Sequence, residues 1–263
     1  MSATAAVHLT DGGNGIYTLT LDRPGRLNVI NYESADALLA CIAEVAASDT
    51  ARVLILRGNG PAFCGGGDVA AMQAHRDTIV AFLGLLIDRF HAAVTALQQL
   101  ALPVIASVQG AAAGGGFSLA MACDLVIATP TARFVIGYSK LGVSTDGGLT
   151  WFLTQRLGRC AALEALTLGG TWSAEQALDL GMINRIVAEE ELEAESLAFA
   201  QRLLQLTPQS LREYKHLVAA QSGDALQAHL AREKESVLRC AAIPDFIARV
   251  DAFLAPKRGK RAD

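Results

Sequence analysis

Charge is scarce in this sequence. Of its 263 residues 18% are charged and 52% are hydrophobic, a balance that excludes an intrinsically disordered chain, which needs the reverse. A basic excess is also lacking. The 22 Lys and Arg against 26 Asp and Glu leave a net charge of −4, so the electrostatic footprint of a nucleic-acid binder is missing. The cysteines, Cys41, Cys64, Cys123, Cys160 and Cys240, are odd in number and contain no C-x-x-C pair. That set suits neither a zinc site nor a disulfide framework, so no metal is expected and reduced thiols point to the cytoplasm. The first residues, Met1–Val7, show no basic region ahead of an apolar core, and no secretory signal is expected there. No repeat or low-complexity segment is evident.

From Ala92 to Cys123 charge is absent altogether, over a run long enough to cross a bilayer. The run holds Gln98, Gln99, Pro103, Gln109, Gly110 and the triplet Gly114-Gly115-Gly116. Proline and clustered glycines break a single helix, and no basic flank anchors one end. The expected reading is a helix end, a buried strand and a second helix within one core, with no membrane partner.

What is present alternates strand and helix. Ile16–Leu21 alternates as a half-exposed strand before a turn at Asp22–Gly25, and Leu38, Leu39, Ile42, Val45 and Ala46 have helical spacing. Val53–Leu56, Val104–Val108, Asp124–Ala128 and Arg133–Ile136 read as further strands, and Asp77–Leu100 as a helix. Beyond about residue 147 the pattern is mostly helical. Ser173–Gln176 has capping-box form, Gly181 reads as a stop, Thr207-Pro208 as a helix start, and helices are expected near Leu226–Cys240 and Asp245–Leu254. Lys257–Arg261 is a basic tail. Buried strands alternating with helices indicate an α/β fold.

Two glycine-rich segments each follow a strand and lead into a helix: Ala62–Asp68 and Gly110–Gly116. Such loops let a ligand approach the backbone, and the first amides of a helix lack partners. Facing each other, they would aim two N–H groups at one oxygen, as an oxyanion hole does. Tight strand-to-helix packing accounts for the glycines equally well. Neither segment matches a dinucleotide or phosphate-loop pattern.

Taken together, these residues resemble the enoyl-CoA hydratase/isomerase (crotonase) superfamily. Ala62–Asp68 is similar to its AFCAGAD element, and Pro103–Gly110 continuing through Gly114–Gly116 to Cys123-Asp124 is similar to its PVIAAVNG…GGG…CD element. Leu21–Pro24 with Asn28, and Ser173–Gly181, match further segments, in order, over about residues 16 to 255. The resemblance implies an α/β crotonase fold of repeated ββα units, with a core over 1–200 holding an acyl-CoA site. It further implies a helical region over 201–263 used in forming a homotrimer or a dimer of trimers. It implies an acyl-CoA thioester substrate, with coenzyme A part of the substrate and no separate cofactor. Carried over residue by residue, the Gly67 and Gly115 amides hold the thioester oxygen, and coenzyme A contacts fall near Arg23, Arg26, Ala62, Cys64 and Asp68. Arg23 and Arg26 read equally well as solvated turn residues.

The family's hydratases carry two glutamates, and the matching positions here are Ser118 and Tyr138. A hydratase thus lacks both of its acids. A tyrosine of ordinary pKa near 10 is a poor base at neutral pH. Asp146, in Leu141–Gly148, is the carboxylate left in that neighbourhood. Its context is similar to the double-bond isomerases of the family, and most similar to the phenylacetate-pathway ring-epoxide (oxepin-CoA forming) isomerase branch. One carboxylate suits isomerisation, because it can take a proton from one carbon and return it to another. Ser118 and Tyr138 are expected to line the pocket. The plainer reading of Asp146 is a cap on the helix that follows.

Other readings remain at this level. The family's aryl-CoA dehalogenases also place an aspartate at position 146, but with a histidine where this chain has Thr95; His91, one turn away, reads as a surface or packed residue. Gly116–Ala120 is a near miss of the nucleophile elbow, and with Asp146 or Asp179 and His216 or His229 it gives the Ser…Asp…His order of a serine hydrolase. A non-catalytic acyl-CoA binder is the remaining alternative.

Overall fold

The computed structural model describes residues 5–220 and 226–255; the basic tail at Lys257–Arg261 lies outside them. The chain opens with β1 (Val7–Asp11) and β2 (Ile16–Leu21), then α1 (Tyr32–Ala47) and β3 (Val53–Gly58). A short α2 (Val69–Ala74) and the long α3 (Ile79–Gln99) lead to β4 (Val104–Val108), β5 (Ala111–Ala113) and α4 (Gly115–Met121). Then come β6 (Leu125–Ala128), β7 (Arg133–Val135), α5 (Tyr138–Leu141), α6 (Leu149–Leu157) and α7 (Arg159–Leu168). β8 (Thr171–Ser173), α8 (Ala174–Asp179) and β9 (Arg185–Ile186) precede four helices: α9 (Leu192–Leu203), α10 (Pro208–Ala220), α11 (Leu226–Ala241) and α12 (Pro244–Leu254).

The main sheet runs β1-β2-β3-β4-β6-β9, parallel except for the β1–β2 hairpin, and a smaller sheet runs β5-β7-β8. Successive side chains leave a strand on opposite faces. In β3, Leu54 and Leu56 enter the main core with α1 and α3, while Val53 and Ile55 meet Leu192 and Leu197 of α9 on the other face. Both faces are covered, which is why β3 and β4 read as unbroken apolar runs rather than alternating ones.

The ββα repeat is visible as β1-β2-α1, β4-β5-α4 and β6-β7-α5. After β3 the second strand shrinks to a single bridge, Cys64 to Ala112. The charge-free run closes α3, forms β4 and β5 and ends in α4, every residue of which is buried. Although α3 is long and apolar enough to cross a membrane, its Leu83, Leu86, Ile87 and Phe90 pack into this core.

Several details differ from the sequence reading. Ala111–Ala113, expected to run into a helix, is a strand paired with Arg133–Val135. Alanine's helix preference yields there to the pairing partner supplied by the fold. The very short β8 and β9, and β1, carry too little pattern to be read locally. The strand expected from Asp124 begins at Leu125, because the Asp124 carboxylate turns back to accept from Val104 N (2.8 Å) and Lys215 Nζ (2.8 Å). The Ser173–Gln176 capping box is present, and Thr207 Oγ1 accepts from Ser210 N at 3.2 Å. The last helices fold back over the domain, α11 against α3 and α12 against α2 and α5.

Candidate active site

A cavity of about 270 Å³ opens between the two glycine loops, α3, α5 and the C-terminal helices. Its walls are mostly apolar: Leu86, Ile87 and Phe90 of α3, with Val237 and Phe246 from α11 and α12. Among the lining residues the ionisable side chains are Asp146, Tyr138 and Lys140.

One wall is main chain. The two glycine loops are stitched together by Cys64 N donating to Ala111 O (3.0 Å) and Ala113 N donating to Cys64 O (2.9 Å). Gly66 sits at φ +93°, and a β-carbon there would lie 2.6 Å from the Ala113 carbonyl oxygen, so the approach requires glycine. The next residue, Gly67, and Gly115 at the start of α4 both line the cavity. Among the described residues no backbone or side-chain acceptor takes either of their N–H groups. Two unpartnered amides on one cavity wall are what an oxyanion hole needs.

The facing wall carries the acid. Asp146 is half-buried, and Tyr138 Oη donates to its Oδ1 at 2.6 Å. Burial of the carboxyl pushes its pKa up to about 6, against the Tyr138 hydrogen bond, which lowers it; the charge of Glu233 raises it further. Burial also holds the Tyr138 phenol well above its ordinary pKa, so it stays protonated as a donor. Asp146 does not cap the following helix: α6 starts after Gly148 and has no side-chain cap bond from its N-cap residue. The expected helix-cap role is not observed: the carboxylate accepts from Tyr138 Oη instead.

Ser118 is not in the cavity wall. It is fully buried behind Tyr138, with its Oγ donating to the Asp146 backbone oxygen at 2.8 Å and lying 3.0 Å from Tyr138 Oη. From there it bonds Tyr138 and the Asp146 carbonyl rather than facing the cavity, because α4 is buried on every side. The hydrolase set is not assembled either. Among the described residues no histidine hydrogen-bonds Ser118, His216 is on an exposed face of α10, and His229 Nε2 lies 2.6 Å from Thr150 Oγ1.

The residues expected to meet coenzyme A gather beside Gly65–Gly67 but do not border the cavity. Arg23 donates to Val29 O (3.0 Å), and Arg26 lies 4.0 Å from Asp68 Oδ2. Asp68 caps α2 through Ala71 N (3.1 Å), worth about 1 kcal/mol. Ala62 is buried, and Cys64, whose thiol burial pushes its pKa up to about 12, is also sealed in the core.

Two residues in the site were not foreseen in their roles. His91 is buried on α3, and its Nε2 accepts from Gly147 N at 2.9 Å; burial lowers its pKa to about 4 and keeps it neutral. Glu233 of α11 is buried and accepts from Gly148 N (2.6 Å), Thr150 N (3.1 Å), Thr145 Oγ1 (3.2 Å) and Thr150 Oγ1. Flanked by Arg232, Lys234 and Glu235, it reads as part of a solvated face. The usable signal is its spacing with Leu230, Val237 and Ala241, which places a carboxylate on the buried stripe of an amphipathic helix.

Comparisons with known proteins bear on the family and the fold. Residues 11–254 match the family model for enoyl-CoA hydratase/isomerase. The chain is 36% identical to a 1,2-epoxyphenylacetyl-CoA isomerase of Escherichia coli, over 92% of this chain and 93% of that protein. It is 32% identical to a probable enoyl-CoA hydratase of Rhodobacter capsulatus, over 91% of each. Among solved structures, an enoyl-CoA hydratase from Mycobacterium avium subsp. paratuberculosis superposes with a TM-score of 0.85 at 27% identity, over 95% of this chain and 96% of that one. The repeated ββα units, the paired glycine loops and the helical C-terminal region are thus those of the crotonase fold. The chain belongs to the enoyl-CoA hydratase/isomerase family and is an enzyme type that acts on acyl-CoA thioesters.

Proposed function

We propose that the protein is an acyl-CoA isomerase that moves a double bond or rearranges a ring epoxide using one carboxylate. The observation that carries this reading is that, among the described residues, Asp146 is the sole carboxylate lining the cavity. The Gly67 and Gly115 amides donate to the thioester oxygen as negative charge develops on it, stabilising the enolate that forms when a neighbouring carbon loses its proton. Asp146, ionised above pH about 6, takes that proton and returns it to a different carbon. Tyr138 donates to Asp146 Oδ1 and steadies the ionised form. Among the described cavity-lining residues there is no second carboxylate to deliver water, and Ser118, at one of the two positions where a hydratase has its glutamates, is buried behind Tyr138. The 36% identity to a 1,2-epoxyphenylacetyl-CoA isomerase supports the same direction, and the apolar walls suit an uncharged aryl or alkenyl group.

The dehalogenase alternative gains nothing from His91, whose Nε2 is occupied by the Gly147 amide. The test is a panel of enoyl- and aryl-CoA thioesters followed by mass and ultraviolet spectra. Isomerisation leaves the mass unchanged while the spectrum shifts. A product heavier by one water makes the protein a hydratase, and tight binding with no product from any member makes it a binder.

A further inference from the structure

The turn that carries Asp146 is gripped from three sides by buried polar side chains, each from a different helix. Ser118 of α4 donates to the Asp146 carbonyl (2.8 Å), and His91 of α3 accepts from Gly147 N (2.9 Å). Glu233 of α11 takes both Gly148 N (2.6 Å) and Thr150 N (3.1 Å), together with the hydroxyls of Thr145 and Thr150. One carboxylate thus closes bonds on both sides of the residues that link Asp146 to α6. A neutral side chain cannot accept from four donors at once, because an amide presents two N–H groups of its own.

We infer that Glu233 is the positioning residue for Asp146, fixing the turn from the C-terminal helical region and setting an anionic group behind the acid. This rests on the reading of Asp146 as the proton carrier. The geometry makes the far end of the chain a working part of the site. The helix that bears Glu233 also supplies Val237 to the cavity wall. The positioning is electrostatic as well as steric. Glu233 stays ionised: burial alone would raise its pKa, but the bonds from His229, Thr150 and Gly148 bring it below the ordinary value. Its charge in turn favours the protonated form of Asp146. The titratable groups around the turn are Tyr138 of α5, His91 and Asp88 of α3, and His229 and Lys234 of α11, with Lys140 on the cavity wall.

The experiment compares wild type, Asp146→Asn, Glu233→Gln and Thr150→Ala, on the thioester that wild type turns over, across a pH series. Glu233→Gln is expected to lower kcat about tenfold to a hundredfold, as misplacing a catalytic group does, with KM within about threefold of wild type. The acid limb of its kcat/KM profile moves to lower pH, since the charge that favours protonated Asp146 is gone. Thr150→Ala keeps that charge, so it lowers kcat by a smaller factor and leaves the limb in place. If Glu233→Gln keeps wild-type kcat and limb while Asp146→Asn is inactive, or merely melts at lower temperature, the inference is overturned and the isomerase reading stands. If Asp146→Asn is itself active, it is that reading which fails. Should Glu233→Gln not fold, Thr150→Ala decides: a several-fold loss in kcat at unchanged KM supports the inference, and wild-type kcat overturns it.

Discussion

The two walls of the cavity are made from different materials. On one side, Gly67 and Gly115 offer main-chain amides set by two loops locked together through Cys64, Ala111 and Ala113. On the other, Asp146 is one side chain whose placement and proton affinity depend on groups from α3, α4, α5 and α11. A backbone wall tolerates changes of side chain provided the loops can still approach. A side-chain wall is tunable but fails when any of several distant residues changes.

The largest effect should follow from removing the acid. Asp146→Asn retains an acceptor for Tyr138 but cannot take a proton, and kcat should fall by about 10²–10⁴ in steady-state assay. The backbone wall should break next. In Gly66→Ala the added β-carbon meets the Ala113 oxygen at 2.6 Å with φ at +93°, and displacing one oxyanion donor should lower kcat by about 10²–10³. If Gly66→Ala instead leaves kcat unchanged, the amides are not the thioester anchor.

Finer tuning appears in pH profiles. Wild-type kcat/KM should rise with pH through about 6 and then level off, because the base must be ionised. Tyr138→Phe removes a hydrogen bond that lowers the Asp146 pKa, so its acid limb should move above the wild-type one, with about a tenfold loss at neutral pH.

The smallest effect concerns stability. Asp146 has its folded pKa raised from 3.8 to about 6, so its contribution is fully present below the unfolded value and is lost as pH rises through about 6. Asp146→Asn should therefore match wild type in thermal melts near pH 4 and exceed it above pH 7. The gain is at most about 3 kcal/mol, reduced by the access that solvent has through the cavity.

The contrast between the walls also explains what the sequence could and could not say. The backbone wall is local: Ala62–Asp68 and Gly110–Gly116 each sit on one strand-to-helix connection, and their glycines are visible as residues. Asp146 is legible by its context, and the missing glutamates by Ser118 and Tyr138. Their arrangement is not, because the Ser118–Tyr138–Asp146 chain joins residues brought together only when α4, α5 and the turn before α6 pack. Glu233 lies farther still along the chain, and its charged neighbours conceal that its own position faces inward. Among strands, those with buried apolar runs are readable, whereas Ala111–Ala113 takes its conformation from β7.

The central claim is that one carboxylate moves a proton and no water enters the product. The most direct measurement is turnover of the active thioester in water enriched with heavy oxygen, followed by mass analysis of the acyl group. The account expects a rearranged product of unchanged mass with no heavy oxygen, formed by wild type and not by Asp146→Asn. A product that has gained labelled water, formed equally well without the Asp146 carboxylate, would contradict it.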